Sequence, residues 1–403
     1  MRSITAILAL IAVPSALGEL RLGSVTQGSG GKWVFEAKYD ANAVAFGNYT
    51  TSDSMPSGFG DLKITTNSKF SAWEQFGAAG YLEGMLSYDA GANHASNWVN
   101  WFRDQFHNGS IPSVFPQWFT EQEAWAREMV ATQNKTDEIW EAVGLVYAQM
   151  DGMEAAYGEM SSAGKVPALS HFEFYGPLQS MGDILTLLPA FSEEHRCQEE
   201  WPRERKIEWL RKNSHCSAFV KALGDLSDIF SAQVAWFTYA SMTRAAKIYD
   251  FGTSHPGRTS LYSSYPLLLS SLDDFYTMPS SNMVMLQTTN GIMNNALYKK
   301  ITTHTLLSWQ RVRASNLLAT GGEHWAQICA DDEATYSNQY MVIDYKKFTP
   351  GKALQPGTLW VTEQIPGLYV AADMTQTLER GYWGSYNVPF FRAIYDTSGY
   401  PQL

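Results

Sequence analysis

The sequence is poor in cysteine and in clustered basic charge, and each shortage excludes a class of protein. Only Cys197, Cys216 and Cys329 occur among 403 residues, too few cysteines for the disulfide framework of a small secreted domain. Lysine and arginine total 29 against 40 acidic residues, which leaves a net charge of −11. No Lys/Arg-rich patch stands out, so a nucleic-acid partner is not expected.

Metal-binding spacings and long apolar runs are missing as well. No CxxC, HExxH or clustered His/Cys/Asp pattern occurs in the sequence, so we expect neither a metal site nor a cofactor. After the N-terminus, no segment has about 18 consecutive apolar residues, so no transmembrane segment is predicted. At most one disulfide can form, and the sequence leaves open whether Cys197 pairs with Cys329.

The first eighteen residues, MRSITAILALIAVPSALG, have the form of a secretory signal peptide. Arg2 supplies the positive charge, a short apolar run follows it, and small residues precede the predicted cleavage between Gly18 and Glu19. Three Asn-x-Ser/Thr sequons come later, and in a secreted chain they predict glycans on exposed surface. These sequons begin at Asn48, Asn108 and Asn134.

Strand and helix patterns occur in both halves of the chain. Hydrophobic residues make up 45% and aromatic residues 14% of the sequence, enough for a large core. Strand character is found at 33–46, 62–66 and 228–239, and in the pair TLWVTEQ and LYVAAD; helix is favoured at 78–88, 120–160 and 302–330. This mixture predicts α+β layers with antiparallel sheet.

A charged segment, 193–212, runs directly into NSHC at 213–216. Dense charge of both signs is typical of an exposed loop or helix. The pattern then changes, because CSAFVKAL alternates like a strand with Ala218, Val220 and Ala222 on one face.

The junction before Cys216 has a specific chemistry if its peptide bond is cut. The thiol and a new α-amino group then belong to the same residue, and an α-amine with a pKa of about 7.7–8.0 can take the thiol proton near neutral pH. The simpler interpretation is a surface loop that leads into a strand beginning with a buried cysteine. On physical grounds alone the simpler interpretation is favoured.

HCSAFVKAL, followed by DIFSAQVAWFTYASMTRAAKIYDF, resembles the phospholipase B-like family, which includes the LAMA-like proteins. The resemblance also covers FGDLKITTNSKF, AAGYLEG, SSYPLLLSSLDDFYTM, VMLQTTNGIMNNALY, ATYSNQYMVIDYKKFTPG, TEQIPGLYVAAD and GYWGSYNVPFF, in order along the mature chain. It implies an αββα N-terminal-nucleophile hydrolase sandwich, with two antiparallel sheets stacked face to face, helices outside and the C-terminal part shortened. It also implies a lysosomal or secreted glycoprotein.

The resemblance further implies that the precursor cuts itself between His215 and Cys216. The chain would then comprise a signal peptide (1–18), an N-terminal fragment (19–215) with a charged linker at 193–215, and a C-terminal fragment (216–403). The new N-terminal cysteine would hydrolyse an acyl ester or amide bond. The family name implies that the substrate is a lipid, with deacylation of phospholipids as the reaction.

Four residues match the site of that family, and a fifth departs from it. Cys216 matches the nucleophile, Trp236 the tryptophan that lines the site, and Thr288 a site threonine. Asn387 matches an asparagine whose amide N–H would donate to a developing oxyanion. Gln233 replaces the family's histidine in an AH-x-x-W pattern; it cannot act as a general base, although it can still form hydrogen bonds.

Simpler interpretations exist for these residues: Trp236 as core, Thr288 as strand filler and Asn387 as a turn former. A second departure is that the family's chains continue into a region with an active-site arginine, which has no counterpart before Leu403.

Three functions are therefore compared. The leading hypothesis is a self-cleaving hydrolase, and its rival is a pseudoenzyme that binds lipid or a protein partner without turnover. A papain-like peptidase fits poorly because no CGSCW-type block is present.

Overall fold

The computed structural model describes residues 19–55, 57–213, 216–272, 275–330 and 334–403. The predicted signal peptide up to Gly18, and His215 of the predicted junction, lie outside these ranges. None of the helices found within them combines the length and the apolar character that crossing a bilayer requires.

The described strands form two sheets. In chain order the strands are β1 Leu20–Gln27, β2 Trp33–Glu36, β3 Ala45–Thr50, β4 Gly60–Thr66, β5 Cys216–Ala222, β6 Ile229–Ala235, β7 Ala245–Asp250, β8 Thr259–Ser264, β9 Phe275–Met278, β10 Met283–Thr289, β11 Asn338–Asp344, β12 Leu359–Ile365, β13 Leu368–Asp373 and β14 Tyr382–Ser385. Eleven of them form a large sheet in the order β13-β12-β11-β10-β9-β8-β7-β4-β3-β1-β2. The other three form a small sheet in the order β14-β5-β6.

The large sheet departs from the predicted antiparallel arrangement at one place. Strands β4 and β7 pair in parallel, whereas the other pairs of described strands are antiparallel. Parallel neighbours need a long crossover, and here the chain between them passes through the helices and the first two strands of the small sheet. The large sheet is therefore mixed.

The described helices are α1 Ala72–Arg103, α2 Val114–Gln133, α3 Glu138–Ser162, α4 His171–Glu173, α5 Met181–Phe191, α6 Arg203–Lys212, α7 Ser308–Leu318, α8 Gly322–Cys329, α9 Thr375–Glu379 and α10 Arg392–Thr397. Helix α1 begins earlier than the predicted Ala78, because Ser71 and Glu74 form a capping box. In it Ser71 Oγ accepts from the Glu74 N–H and Glu74 Oε2 accepts from the Ser71 N–H.

Helices α1 and α3 approach one another closely through glycine. A Cβ on Gly80 would lie 1.7 Å from the Gln149 carbonyl oxygen, so no side chain fits at this crossing.

Helix α1 also carries Glu83, whose Oε1 lies 2.5 Å from Lys247 Nζ on β7, and both side chains are fully buried. This ion pair fastens the helical layer to the middle of the large sheet.

The small sheet packs on the other face of the large one. Ala218 and Val220 of β5 share a buried cluster with Leu286 and Val361 of the large sheet. Helices, large sheet and small sheet thus form successive layers, which confirms the α+β class. The outer face of the small sheet exposes four large side chains: Phe219, Phe230, Val234 and Tyr382. Among the described residues, the expected helical layer over this face is not found.

The charged segment before the junction forms helix α6, none of whose residues is buried, in agreement with the predicted exposed loop or helix. Nearby, buried Cys197 belongs to a small cluster with Met293 and Tyr400. Cys329 lies in the main core. In the structure described, no disulfide joins the three cysteines.

Candidate active site

Cys216 is the first residue of β5, the central strand of the small sheet. Its side chain is 4% exposed, and Ala218, Val220 and Ala222 are buried on the same face, as the alternating pattern predicts. In the antiparallel pair with β6, Cys216 lies opposite Ala235. The strand therefore fixes the position of the thiol between the two sheets.

Asn387 holds the backbone nitrogen of Cys216. The Cys216 N–H donates to Asn387 Oδ1 at 3.0 Å, and Asn387 Nδ2 donates to the Thr289 carbonyl at 2.6 Å. The backbone of Asn387 is left-handed, with φ +65°, a conformation that asparagine tolerates better than most residues. Tyr400 supports it by donating from its hydroxyl to the Asn387 carbonyl at 3.0 Å.

This geometry adds to the role predicted for Asn387. An amide nitrogen carries two hydrogens, and the bond to Thr289 occupies one of them. The amide oxygen, meanwhile, is directed at the atom that would become the α-amine after cleavage. Asn387 is therefore placed to orient the α-nitrogen of Cys216, and the predicted oxyanion contact remains a prediction.

Thr288 lies on β10 of the large sheet and is fully buried. Its Oγ1 is 2.6 Å from Ser385 Oγ at the end of β14. Because β14 pairs with β5, this bond ties the large sheet to the small one beside the strand that begins at Cys216. Sequence analysis did not single out Ser385, although it stands two residues before Asn387 in the block GYWGSYN.

Gln233 and Trp236 belong to the same chain segment but lie in different surroundings. Gln233 lies opposite Ala218 in the β5–β6 pair, and its Nε2 donates a long 3.4 Å hydrogen bond to the Gln287 carbonyl. Trp236 follows the end of β6 and is 51% exposed, which excludes the simpler interpretation of this residue as core.

A cleft of about 580 Å³ adjoins these residues. Thr289 and Trp236 line it, and so does Asn213 at the end of α6. Two further tryptophans, Trp101 and Trp209, add aromatic surface. The cleft has the size of small-molecule sites, and its walls combine this aromatic surface with the charged residues Glu194, Arg211 and Lys212.

A buried carboxylate supports the loop that carries Asn387. Glu363 is fully buried and accepts from the backbone N–H groups of Phe390 at 2.6 Å and Phe391 at 2.9 Å. It also accepts from Gln339 Nε2 at 2.5 Å. Burial raises the pKa of Glu363, and these hydrogen bonds partly oppose the rise. The local sequence TEQ gives no sign of this role.

The described residues contain no group of three or more His, Cys, Asp or Glu side chains placed to hold a metal ion.

The three sequons lie on different kinds of surface. Asn108 is exposed, whereas Asn48 on β3 and Asn134 at the end of α2 are partly buried. Glycosylation at all three remains a prediction.

Comparison with known proteins gives a family match over most of the chain. Residues 45–403 match the model of the Phospholipase B family. The chain is 35% identical over 368 residues to Phospholipase B-like protein B of Dictyostelium discoideum, covering 90% of this chain and 63% of that protein. It is 38% identical over 374 residues to Phospholipase B of Crotalus adamanteus, covering 90% and 66%.

A human protein gives a similar result. The chain is 36% identical over 371 residues to Phospholipase B-like 1 of Homo sapiens, covering 90% of this chain and 65% of that protein. The chain therefore spans slightly less than two thirds of the length of these relatives.

Proposed function

The chain belongs to the phospholipase B family, and from that premise we propose that it is an acyl hydrolase activated by self-cleavage before Cys216. Its substrates are phospholipids or related acyl esters and amides. The observation that carries the proposal is the 3.0 Å hydrogen bond from the Cys216 N–H to Asn387 Oδ1, at the buried head of a strand. A buried backbone N–H needs an acceptor in any protein, but here the acceptor is a side chain directed at the atom that cleavage would turn into the α-amine.

Cleavage between His215 and Cys216 gives fragments 19–215 and 216–403, of nearly equal length. The freed α-amine has a pKa near 7.7–8.0 in an unperturbed chain, so part of it is neutral at pH 7. It takes the proton of the Cys216 thiol, and Asn387 Oδ1 keeps the amine oriented by accepting one of its hydrogens. This is the nucleophile-and-base arrangement placed on one residue.

The thiolate sulfur then attacks the acyl carbonyl carbon and forms a C–S bond. The tetrahedral intermediate collapses, the bond to the leaving alcohol or amine breaks, and the leaving group takes the proton from the α-ammonium. Water, deprotonated by the same amine, attacks the thioester and releases the fatty acid with the thiol restored. A donor to the oxyanion contributes about 3–4 kcal/mol in other acyl-transfer enzymes.

The cleft lined by Thr289 and Trp236 suits an acyl chain. Its tryptophans, Trp101, Trp209 and Trp236, offer apolar surface, and burial of hydrocarbon is worth about 0.8 kcal/mol per methylene. We place the protein in the secretory pathway, secreted or lysosomal, on the basis of the N-terminal pattern and the three sequons.

Gln233 favours a second candidate, a pseudoenzyme that binds lipid or a protein partner without turnover. Its amide does not titrate near neutral pH, and its one hydrogen bond reported above is long at 3.4 Å. This candidate predicts an uncut chain.

The first test is mass spectrometry and N-terminal sequencing of the secreted, deglycosylated protein. The proposal expects a fragment beginning Cys216-Ser217-Ala218, which should be absent from Cys216→Ala. Cys197→Ala, which alters another buried cysteine, is the matched control and should mature normally.

Two outcomes would reject parts of this proposal. A Cys216→Ala protein that is still cut at the junction would exclude self-cleavage by this residue. A wild-type chain that stays whole and releases no fatty acid from phosphatidylcholine vesicles or from acyl amides would favour the pseudoenzyme.

A further inference from the structure

The side-chain amide of Asn290 lines the cleft without a hydrogen-bond partner. Asn290 follows strand β10 and is 3% exposed. Neither its Nδ2 nor its Oδ1 has a hydrogen-bond partner among the residues that the structure describes. Buried amides nearly always have partners, and an unsatisfied one destabilises the folded protein. A group left in this state on a residue that lines a cleft points to a ligand that completes it.

The side chain is on the nucleophile's side of the large sheet. The Asn290 N–H donates to the Ser337 carbonyl at 2.9 Å, so the β10–β11 pairing continues through this residue. Side chains alternate along a strand. Thr288 reaches Ser385 in the small sheet, and Thr289 reaches Tyr336 on the opposite side. Asn290 therefore shares the side of Thr288.

Asn290 is also close to the group that holds the nucleophile. The carbonyl of the preceding residue, Thr289, accepts from Asn387 Nδ2, and Asn387 Oδ1 accepts from the Cys216 N–H. Both Thr289 and Asn290 line the cleft. The residue with the unpartnered amide is thus the chain neighbour of Thr289, which two hydrogen bonds through Asn387 connect to Cys216.

We propose that Asn290 binds the scissile group of the substrate and gives the site a preference for primary fatty amides over esters. Its Nδ2 donates to the acyl carbonyl oxygen, and its Oδ1 accepts from the N–H of the leaving amine that lies cis to that oxygen. A primary carboxamide satisfies both halves of the Asn290 amide, whereas the N–H of a trans secondary amide points away from its carbonyl and an ester has no hydrogen to give. The inference rests on the proposed acyl hydrolase function and names its substrate class.

Binding to the full-length Cys216→Ala protein tests this inference without turnover. Decanamide and methyl decanoate carry the same acyl chain, and quenching of the cleft tryptophans reports their dissociation constants. We expect tighter binding of the amide. Asn290→Ala should weaken decanamide binding about tenfold or more and abolish the preference, because a site built to hydrogen-bond a ligand loses that discrimination.

Asn67→Ala is the matched control. Asn67 is an asparagine outside this cleft, and its Nδ2 donates to the Ala41 carbonyl at 3.2 Å. Its loss should leave decanamide binding unchanged. A thermal melt of each variant separates binding from folding: Asn290→Ala should not lower the melting temperature, because no side-chain hydrogen bond is lost and an unsatisfied buried amide is removed.

Three results would overturn the inference: no measurable decanamide binding, equal affinity for amide and ester, or unchanged binding in Asn290→Ala. A clear fall in the melting temperature of Asn290→Ala would also do so, since it would reveal a structural partner for the amide. Failure of the proposed function is a separate result, namely no Cys216-dependent hydrolysis. Asn290-dependent binding of the amide would then stand alone.

Discussion

The backbone nitrogen of Cys216 and the side-chain oxygen of Asn387 are 3.0 Å apart, although 171 positions separate the two residues in the chain. The contact is made possible by β14, which pairs with β5 and delivers Asn387 to the first residue of that strand. A left-handed backbone at Asn387 turns its amide toward Cys216.

Asn387→Gly should distinguish the role of the Asn387 side chain from the role of its left-handed backbone. Glycine adopts the observed φ of +65° without strain, so the loop should persist while both side-chain hydrogen bonds are lost. We expect cleavage at the junction to slow about 100-fold, the cost of misplacing a reacting group, as followed by gel electrophoresis over time. Asn282→Gly, at another left-handed asparagine (φ +54°), should cleave normally. An unchanged rate in Asn387→Gly would remove Asn387 from the mechanism.

Gln233→His should accelerate maturation and make it depend on pH. An imidazole titrates near pH 6.5 and can act as a general base, which an amide cannot. We expect cleavage about 100-fold faster, at the lower end of general acid–base contributions, with the rate rising as pH passes about 6.5. Gln233→Leu, of similar size, is the control and should gain nothing. Equal rates for histidine and glutamine would show that position 233 takes no part in proton transfer.

His171 should stabilise the protein at acidic pH. Its Nε2 lies 2.6 Å from Glu123 and its Nδ1 2.9 Å from Glu154. Burial alone would lower the pKa of His171, but the hydrogen bonds and charges of the two carboxylates raise it above 6.5. The folded protein thus holds this proton more tightly, so the stabilisation is complete below about pH 6.5 and is lost as pH rises through the raised pKa.

The effect of His171 appears in melting temperatures. His171→Gln should lower the melting temperature by about 2 °C at pH 5 and by almost nothing at pH 9, a small effect because the pair is half exposed. His255→Gln should show the opposite trend, because burial lowers the pKa of His255 and the folded protein favours its neutral form. A loss in His171→Gln that is equal at both pH values would contradict the ionic role.

Glu363 is an acid, not a base like His171, but it too should stabilise the folded protein more at low pH than at high pH. Burial raises its pKa above 4.5 in the folded protein, so the folded form binds the proton more tightly than the unfolded chain does. Stability therefore falls as pH rises from about 4.5 through the raised pKa. The melting temperature of Glu363→Gln relative to wild type should increase over that window. Gln376→Ala, a change of a non-titrating residue at an exposed position on α9, should stay parallel to wild type.

Local patterns predicted the strand that begins at Cys216, but not what surrounds it. Alternation placed Ala218 and Val220 on one face of β5, and both are buried. Apolar periodicity alone missed the first turn of α1, which depends on the capping pair Ser71 and Glu74. The resemblance of the sequence blocks identified the family, and the family match confirms it.

The partners of the site could not be predicted because they are made by pairing across sheets. Ser385 meets Thr288 only once β14 lies beside β5, and Glu363 binds the Phe390 loop from a different strand of the large sheet. Asn290 is identified by a missing partner, which no sequence pattern reports.

The parallel pairing of β4 with β7 joins a strand from before Cys216 to one from after it, and the buried pair of Glu83 and Lys247 spans the same division. After a cut at the junction, the two fragments would therefore stay bound to each other through paired strands and a buried ion pair. They would separate only on global unfolding, and reassembly would become a second-order encounter whose yield falls on dilution. Maturation would thus convert a chain that refolds by itself into one whose native state persists by slow unfolding.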